Sequence, residues 1–293
     1  MSATADGTQP RSLWADAWAT LRANHAATIA FWLLVLLTAA VLIGPLLLPF
    51  SYEQTDWDNI AGAPSLASGH PFGTDSLGRD LLVRTLWGGR ISLLVAVVAT
   101  TVSLVIGVTY GALAGYLGGR VDQMMMRLVD VLYALPFLFL VILLMVLFGR
   151  NLVLIFVAIG AINWLDMARI VRGQALALRN REFIEAARAG GVPTGRIIRR
   201  HIVPNLLGVV VVYVTLTIPQ VILVESVLSF LGLGVQEPMT SWGALVNEGA
   251  QELETAWWMI VFPSLFLATT LFCCNFLGDG LRDALDPRAR DGR

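Results

Sequence analysis

Residues 26–49 contain no charged side chain, and this constrains the fold more than any other feature of the chain. A helix needs about 20 mostly apolar residues to cross a hydrocarbon core about 30 Å thick. Residues 91–117, 128–148, 152–171, 206–228 and 256–278 have a similar apolar character. The chain therefore reads as an all-α integral membrane protein with six transmembrane helices. The fourth span is the weakest, because Asn163, Asp166 and Arg169 sit near its end and suit an interfacial position. Composition agrees: 56% hydrophobic, 14% charged and a mean hydropathy of +0.71 lie outside the usual range of soluble domains.

The first span is longer than a signal-peptide core and no small-residue cleavage pattern follows it, so an uncleaved anchor is expected. Residues 1–25 precede it as a tail whose first 12 residues are expected to be flexible. Leu13, Trp14, Ala17, Trp18 and Leu21 share one helical face, which suits a helix on the inner membrane surface.

All 20 basic residues are arginine, and their placement sets an orientation. With the N-terminus cytoplasmic, 16 fall in inner segments (tails, residues 118–127 and the insert 169–205), whereas Arg79, Arg84, Arg90 and Arg150 are the 4 outside. Both termini and the insert are expected in the cytoplasm. Without lysine, the chain cannot build a Walker A phosphate loop, a protein-kinase site or a Schiff base. A net charge of −1 argues against nucleic acid. Cys273 and Cys274 are neighbours, ill-suited to an ordinary disulfide, and are expected to face lipid or pack. No metal site is expected.

Two outer segments stand out. Residues 50–90 carry the run His70 to Asp80, in which Thr74 and Asp75 could cap a helix starting near Ser76. Residues 232–255 carry Glu237, Glu248, Glu252 and Glu254 but no arginine. Loops of this length are more often functional than idle.

The insert is the most informative polar stretch. From Met167 to Gly190 its composition predicts one helix, Gly190 and Gly191 supply a stop, Thr194 can cap a second short helix, and Pro204 helps to end it. This helix–turn–helix could be taken for a DNA reader, but spans on both sides anchor it to the bilayer. Arginines meeting anionic lipid headgroups are the blander reading, though lipid attraction alone does not call for a glycine turn beside two alanines.

The run Glu185-Ala186-Ala187, three residues, Gly191, then Val203-Pro204 resembles the EAA loop of ATP-binding-cassette importer permeases. That family usually has isoleucine at the position of His201 and leucine at that of Val203. The form His201-Ile202-Val203-Pro204-Asn205 is similar to its peptide and nickel branch. Further similarities are Gly73-Thr74-Asp75 with Gly78-Arg79-Asp80, Leu228 to Gly234, Ser241-Trp242-Gly243 and Gly278 to Pro287. Thr55-Asp56-Trp57 and Asn163 to Gln174 resemble the C-type inner-membrane subunits of oligopeptide permeases. The resemblance implies a type I importer permease fold over residues 91–280, with an EAA coupling loop at 172–205 and a cytoplasmic tail at 281–293. It also implies a heteromer in the bacterial inner membrane, comprising a second homologous permease subunit, two ATP-binding subunits and a periplasmic peptide-binding protein. ATP and magnesium would be used by the partners, with no cofactor on this chain. Glu185, Ala186, Ala187 and Gly191 would form the ATPase-coupling surface. Dipeptides or nickel are alternative cargoes.

Charges at membrane depth are functional candidates. Glu225, beyond Pro219 in the fifth span, could line a substrate path, or cap or hydrogen-bond to a neighbouring subunit near the interface. Arg127 with Asp130, and Asp166 with Arg169, read as local ion pairs. His25 and His70 read as solvated, and His201 as a contact to a partner or a helix end. Gly111 and Gly115 form a small-xxx-small pair suited to close packing. An ion-driven carrier would favour inverted repeats and several midplane acids, which are not evident. An intramembrane enzyme lacks a plausible catalytic constellation.

Overall fold

The computed structural model describes residues 13–149 and 152–285, with no side-chain detail at 13–17, 152 and 155. The expected flexible tail over 1–12, the face contributed by Leu13, Trp14 and Ala17, and residues 286–293 of the C-terminal tail lie outside that description. Among the described residues the fold is all-helical, with only isolated bridges in the segment before the third helix.

Helix α1 (Leu13–Ala23) is separated from α2 (His25–Leu47) by Asn24, whose extended backbone and side chain accepting from the Ala27 amide at 3.2 Å cap α2. Leu21 is buried beside Gly280 near the far end of the last helix, while Trp18 is exposed. Pro45 in α2 has no N–H to offer the Val41 carbonyl one turn back. Arg90 of α3 (Leu81–Leu117) takes over, donating from Nε to that carbonyl at 2.9 Å and from Nη2 to the Leu42 carbonyl.

The start of α3 differs from the expected one. Asp80 caps it, accepting from the Val83 amide at 2.7 Å, because Thr74 and Asp75 are engaged elsewhere. Its packing against α6 (Leu152–Arg179) follows from glycine spacing. A methyl group on Gly107, Gly111 or Gly115 would overlap Met167, the Ala168 carbonyl or the Arg172 carbonyl respectively. Three bare positions four residues apart thus let the two backbones approach closely, as expected of Gly111 and Gly115.

The expected third span is not one rod. Helix α4 (Gly119–Tyr133) and α5 (Phe137–Phe148) meet at 78°, broken ahead of Pro136, which lacks an amide donor and disfavours helix at Leu135. Asp122 and Asp130 on α4 pair with α6: Arg172 donates to Asp122 at 2.5 and 2.6 Å, and Arg169 to Asp130 at 2.8 Å. The ion pairs read as local, Arg127–Asp130 and Asp166–Arg169, are therefore replaced by an interhelical one. The guanidinium of Arg169 can reach across to α4, where the Tyr133 ring also lies beneath it.

The chain continues through α7 (Glu182–Ala189), α8 (Thr194–Ile197), a π-helical turn (Ile198–Ile202), α9 (Val203–Phe230), α10 (Trp242–Gln251) and α11 (Trp258–Leu285). Cys273 and Cys274 are free thiols buried in packing. The starts of α3 and α11 meet α10 at one end of the bundle: Leu81, Leu245 and Trp258 share a core, and the Trp258 indole donates to the Thr74 carbonyl at 3.1 Å. The end of α3 meets α7 and α8 at the other end.

By length and apolarity, four stretches can cross a membrane: His25–Leu47, Leu81–Leu117, Thr194–Phe230 and Trp258–Leu285. They become five if the bent pair α4–α5 counts as one. Six were expected. Asp166, Arg169, Arg172 and Arg179 lie in the second half of α6, leaving its first half apolar.

Candidate coupling site

The insert is not the single long helix expected from Met167 to Gly190. Helix α6 ends at Arg179, where a guanidinium N–H donates to the Leu117 carbonyl at 3.2 Å, and Arg181 is extended before α7 begins. This break turns Ile184 inward. Ile184, Ile197 and Ile202 are fully buried against Tyr116, Ala175 and Leu206, fastening the insert to the ends of α3 and α6 and the start of α9.

Helix α7 ends in a Schellman arrangement. The Val192 amide donates to the Ala187 carbonyl at 3.1 Å and the Gly191 amide to the Arg188 carbonyl at 3.0 Å. Gly191 takes φ +73°, and no atom lies within 4 Å of where its Cβ would stand. Its glycine is therefore required by backbone conformation and leaves the turn uncovered on its outer side. Thr194 begins α8 rather than capping it; Pro193 holds the cap position. Pro204 does not end a helix. It lies in the first turn of α9, where a proline is tolerated, directly after the wide π turn.

Glu185, Ala186 and Gly191 lie on the exposed side of this unit, whereas Ala187 is half-buried against the isoleucine core. Glu182 and Glu185 occupy the first turn of α7, where the helix dipole favours negative charge. Phe183 is exposed beside them, a large apolar side chain that the motif reading did not single out. Arg169, Arg172, Arg179 and Arg188 each contact another part of the chain, Arg188 lying over the Tyr116 ring, although Arg169 and Arg188 are themselves exposed. Arg181, Arg196, Arg199 and Arg200 are exposed. His201 is half-buried in the π turn, and its carbonyl accepts from Asn205 at 2.6 Å.

Glu225 lies near the opposite end of the bundle. It is fully buried within the chain, with Ser92 of α3 donating to one oxygen at 3.0 Å and Ser229 to the other at 2.7 Å. The Ser229 hydroxyl accepts from Ser241 at 3.1 Å, and Ser92 also accepts from the Trp242 amide at 3.2 Å. One carboxyl thereby joins α3, α9 and the start of α10.

Above it lies a charge network with no counterpart in the motif reading. Asp75 accepts from Arg79 Nε at 2.7 Å and from Arg84 Nη1; Arg84 reaches Glu248 at 2.7 and 3.2 Å; Arg79 reaches Glu237 at 3.0 Å. Asp75 and Arg84 are wholly buried. His70, expected to be solvated, is buried with Asp80 at 2.7 Å and Asp56 at 3.2 Å. Burial disfavours its charged form, but hydrogen bonds and charge from the two carboxylates outweigh this and hold His70 above its usual range. Hydrogen bonds from Asn59, then His70 and the Asp58 amide, hold Asp56 below the usual carboxylate range. Among the described residues no group of three His, Cys, Asp or Glu side chains is placed to hold a metal ion.

Residues 107–291 match the family model of the binding-protein-dependent transport system inner membrane component, and residues 12–67 match the N-terminal transmembrane domain of oligopeptide transport permease C. The oligopeptide transport system permease protein OppC of Escherichia coli K12 is 59% identical over 280 residues, covering 96% of this chain and 93% of that protein. OppC of Haemophilus influenzae is 55% identical over 280 residues, covering 96% and 90% respectively. The dipeptide transport system permease protein DppC of Bacillus subtilis is 47% identical over 276 residues, covering 94% and 86%. The chain belongs to the inner-membrane components of binding-protein-dependent transport systems, a family of multi-pass transport permeases rather than enzymes.

Proposed function

We propose that this chain is the transmembrane subunit of an ATP-binding-cassette importer that carries oligopeptides across the inner membrane. The observation that carries this reading is 59% identity to an oligopeptide permease over nearly the whole chain. Dipeptides are the second reading, favoured by 47% identity to a dipeptide permease.

In this proposal α7 enters a partner ATPase. Glu185, Ala186 and Gly191 contribute through an exposed face, and Ala187 through the tight packing beneath it. The arginine bias supports cytoplasmic termini and a cytoplasmic insert. Six crossings follow if α4–α5 forms one bent span and α6 crosses with its charged half at the inner surface. The remaining parts would be a homologous permease subunit, two ATP-binding subunits and an external peptide-binding protein. Glu225 enters on a narrower footing than a path-lining residue, since its carboxyl faces serine hydroxyls rather than an opening. Glu225→Gln that leaves uptake unchanged for both charged and neutral peptides would remove it from the path.

The test is peptide uptake into proteoliposomes holding the assembled complex and its binding protein. Uptake should require ATP and survive collapse of the proton gradient. Uptake that persists without ATP and stops with the gradient would make the chain part of an ion-driven carrier instead.

A further inference from the structure

The outer segment between α2 and α3 is fastened by one imidazole whose two nitrogens both face carboxylates. Nδ1 of His70 lies 2.7 Å from Asp80 Oδ2, and Nε2 lies 3.2 Å from Asp56 Oδ2. An ionised carboxylate only accepts hydrogen bonds, and a neutral imidazole has one N–H to give. Both bonds together therefore need the imidazolium, with a proton on each nitrogen. The ring is buried and stacked on Phe50 at 4.6 Å, so water cannot readily replace a lost bond.

The carboxylates also accept other hydrogen bonds, Asp80 on its Oδ1 and Asp56 on both oxygens. Asp80 accepts from the Val83 amide at the start of α3, and Asp56 from Asn59 at 2.7 Å and from the Asp58 amide at 3.0 Å. We propose that His70 is a proton-dependent pin: doubly protonated, it ties Asp56 to Asp80 and fastens the outer segment to α3, and losing one proton releases it.

The charged groups facing the ring are Asp56 from the segment and Asp80 from the α3 cap; Phe50 adds an uncharged face. The nearby arginines 79 and 84 are engaged by Asp75, Glu237 and Glu248. With His70 held above its ordinary 6.5, the fastening is complete below about pH 6.5 and is lost as pH rises through the folded-state value. In the orientation proposed above, the external solution thus sets how firmly the segment is held.

The experiment is hydrogen–deuterium exchange of amides in residues 55–80, corrected for intrinsic rates, on the assembled complex in nanodiscs between about pH 6 and about pH 9. In the native chain the opening equilibrium should rise with pH, about tenfold for each unit by which the folded-state value exceeds 6.5, and then level off. His70→Gln should give a flat profile at the released level. Asp56→Asn, at a half-buried position, should move the release to lower pH. A flat profile in the native chain, the same rise in His70→Gln, or an unmoved release point in Asp56→Asn would each overturn the pin.

Discussion

The two ends of the bundle are secured by opposite means. Where α3 begins, charges are turned inward: Asp75 and Arg84 are buried, and Arg84 reaches a residue 164 positions away to bind α10 to α3. At the insert, apolar side chains are turned inward and several charges outward: Ile184, Ile197 and Ile202 anchor it, leaving Glu182, Glu185 and the exposed arginines facing away. A segment whose charges are spent within its own chain is built to hold shape. One whose charges are left on an anchored surface is suited to meeting a partner.

The comparison breaks hardest at the end with the buried charges. Asp75→Ala leaves the wholly buried Arg84 with only the half-buried Glu248 and should cost about 3–5 kcal/mol, read as lost thermal stability of the solubilised complex. A change below about 1 kcal/mol would show that the network is incidental to the fold. Next comes Ile184→Ala, which opens a cavity beneath α7. It should cost about 2–5 kcal/mol and raise amide exchange in residues 182–197 while leaving α10 protected.

Smaller again is Gly191→Val. No atom opposes the new side chain, so the loss is that of a left-handed backbone at a β-branched residue, about 1–2 kcal/mol, measured by the same unfolding experiment. Phe183→Ala sharpens the contrast at the low end. Being exposed, it should leave stability within about 0.5 kcal/mol while weakening retention of the ATPase subunits on a column carrying the permease pair.

The difference between the ends also explains what could be read from the sequence. The turn at Gly190-Gly191 was legible because the Schellman arrangement is local and needs a glycine at φ +73°. The close approach at Gly111 and Gly115 was legible for the same kind of reason, being written in a four-residue spacing. The break of the insert helix at Arg181 was not: no proline or glycine marks it, and it comes with tertiary contacts at Arg179 and Ile184 that override good helix propensity. The cap of α3 was misplaced because Asp75, a good capping residue by type, is taken by two arginines. His70 was read as solvated because its two carboxylate partners lie 10 and 14 positions away in irregular chain, where no periodicity reports proximity. The partners of Glu225 include a serine 133 residues distant.

The central claim is that the exposed face of α7 transmits the ATPase stroke and is not needed for the fold. The most direct measurement is the number of peptides taken up per ATP hydrolysed by proteoliposomes carrying Glu185→Lys. Subunit stoichiometry and thermal stability should be verified on the same preparation. Because Glu185 is exposed and pairs with no described residue, stability should stay within about 0.5 kcal/mol of the native complex. Uptake per ATP should nevertheless fall by about tenfold or more, the effect of removing about 1.4 kcal/mol of coupling. Native uptake per ATP in a stable, fully assembled Glu185→Lys complex would contradict the claim.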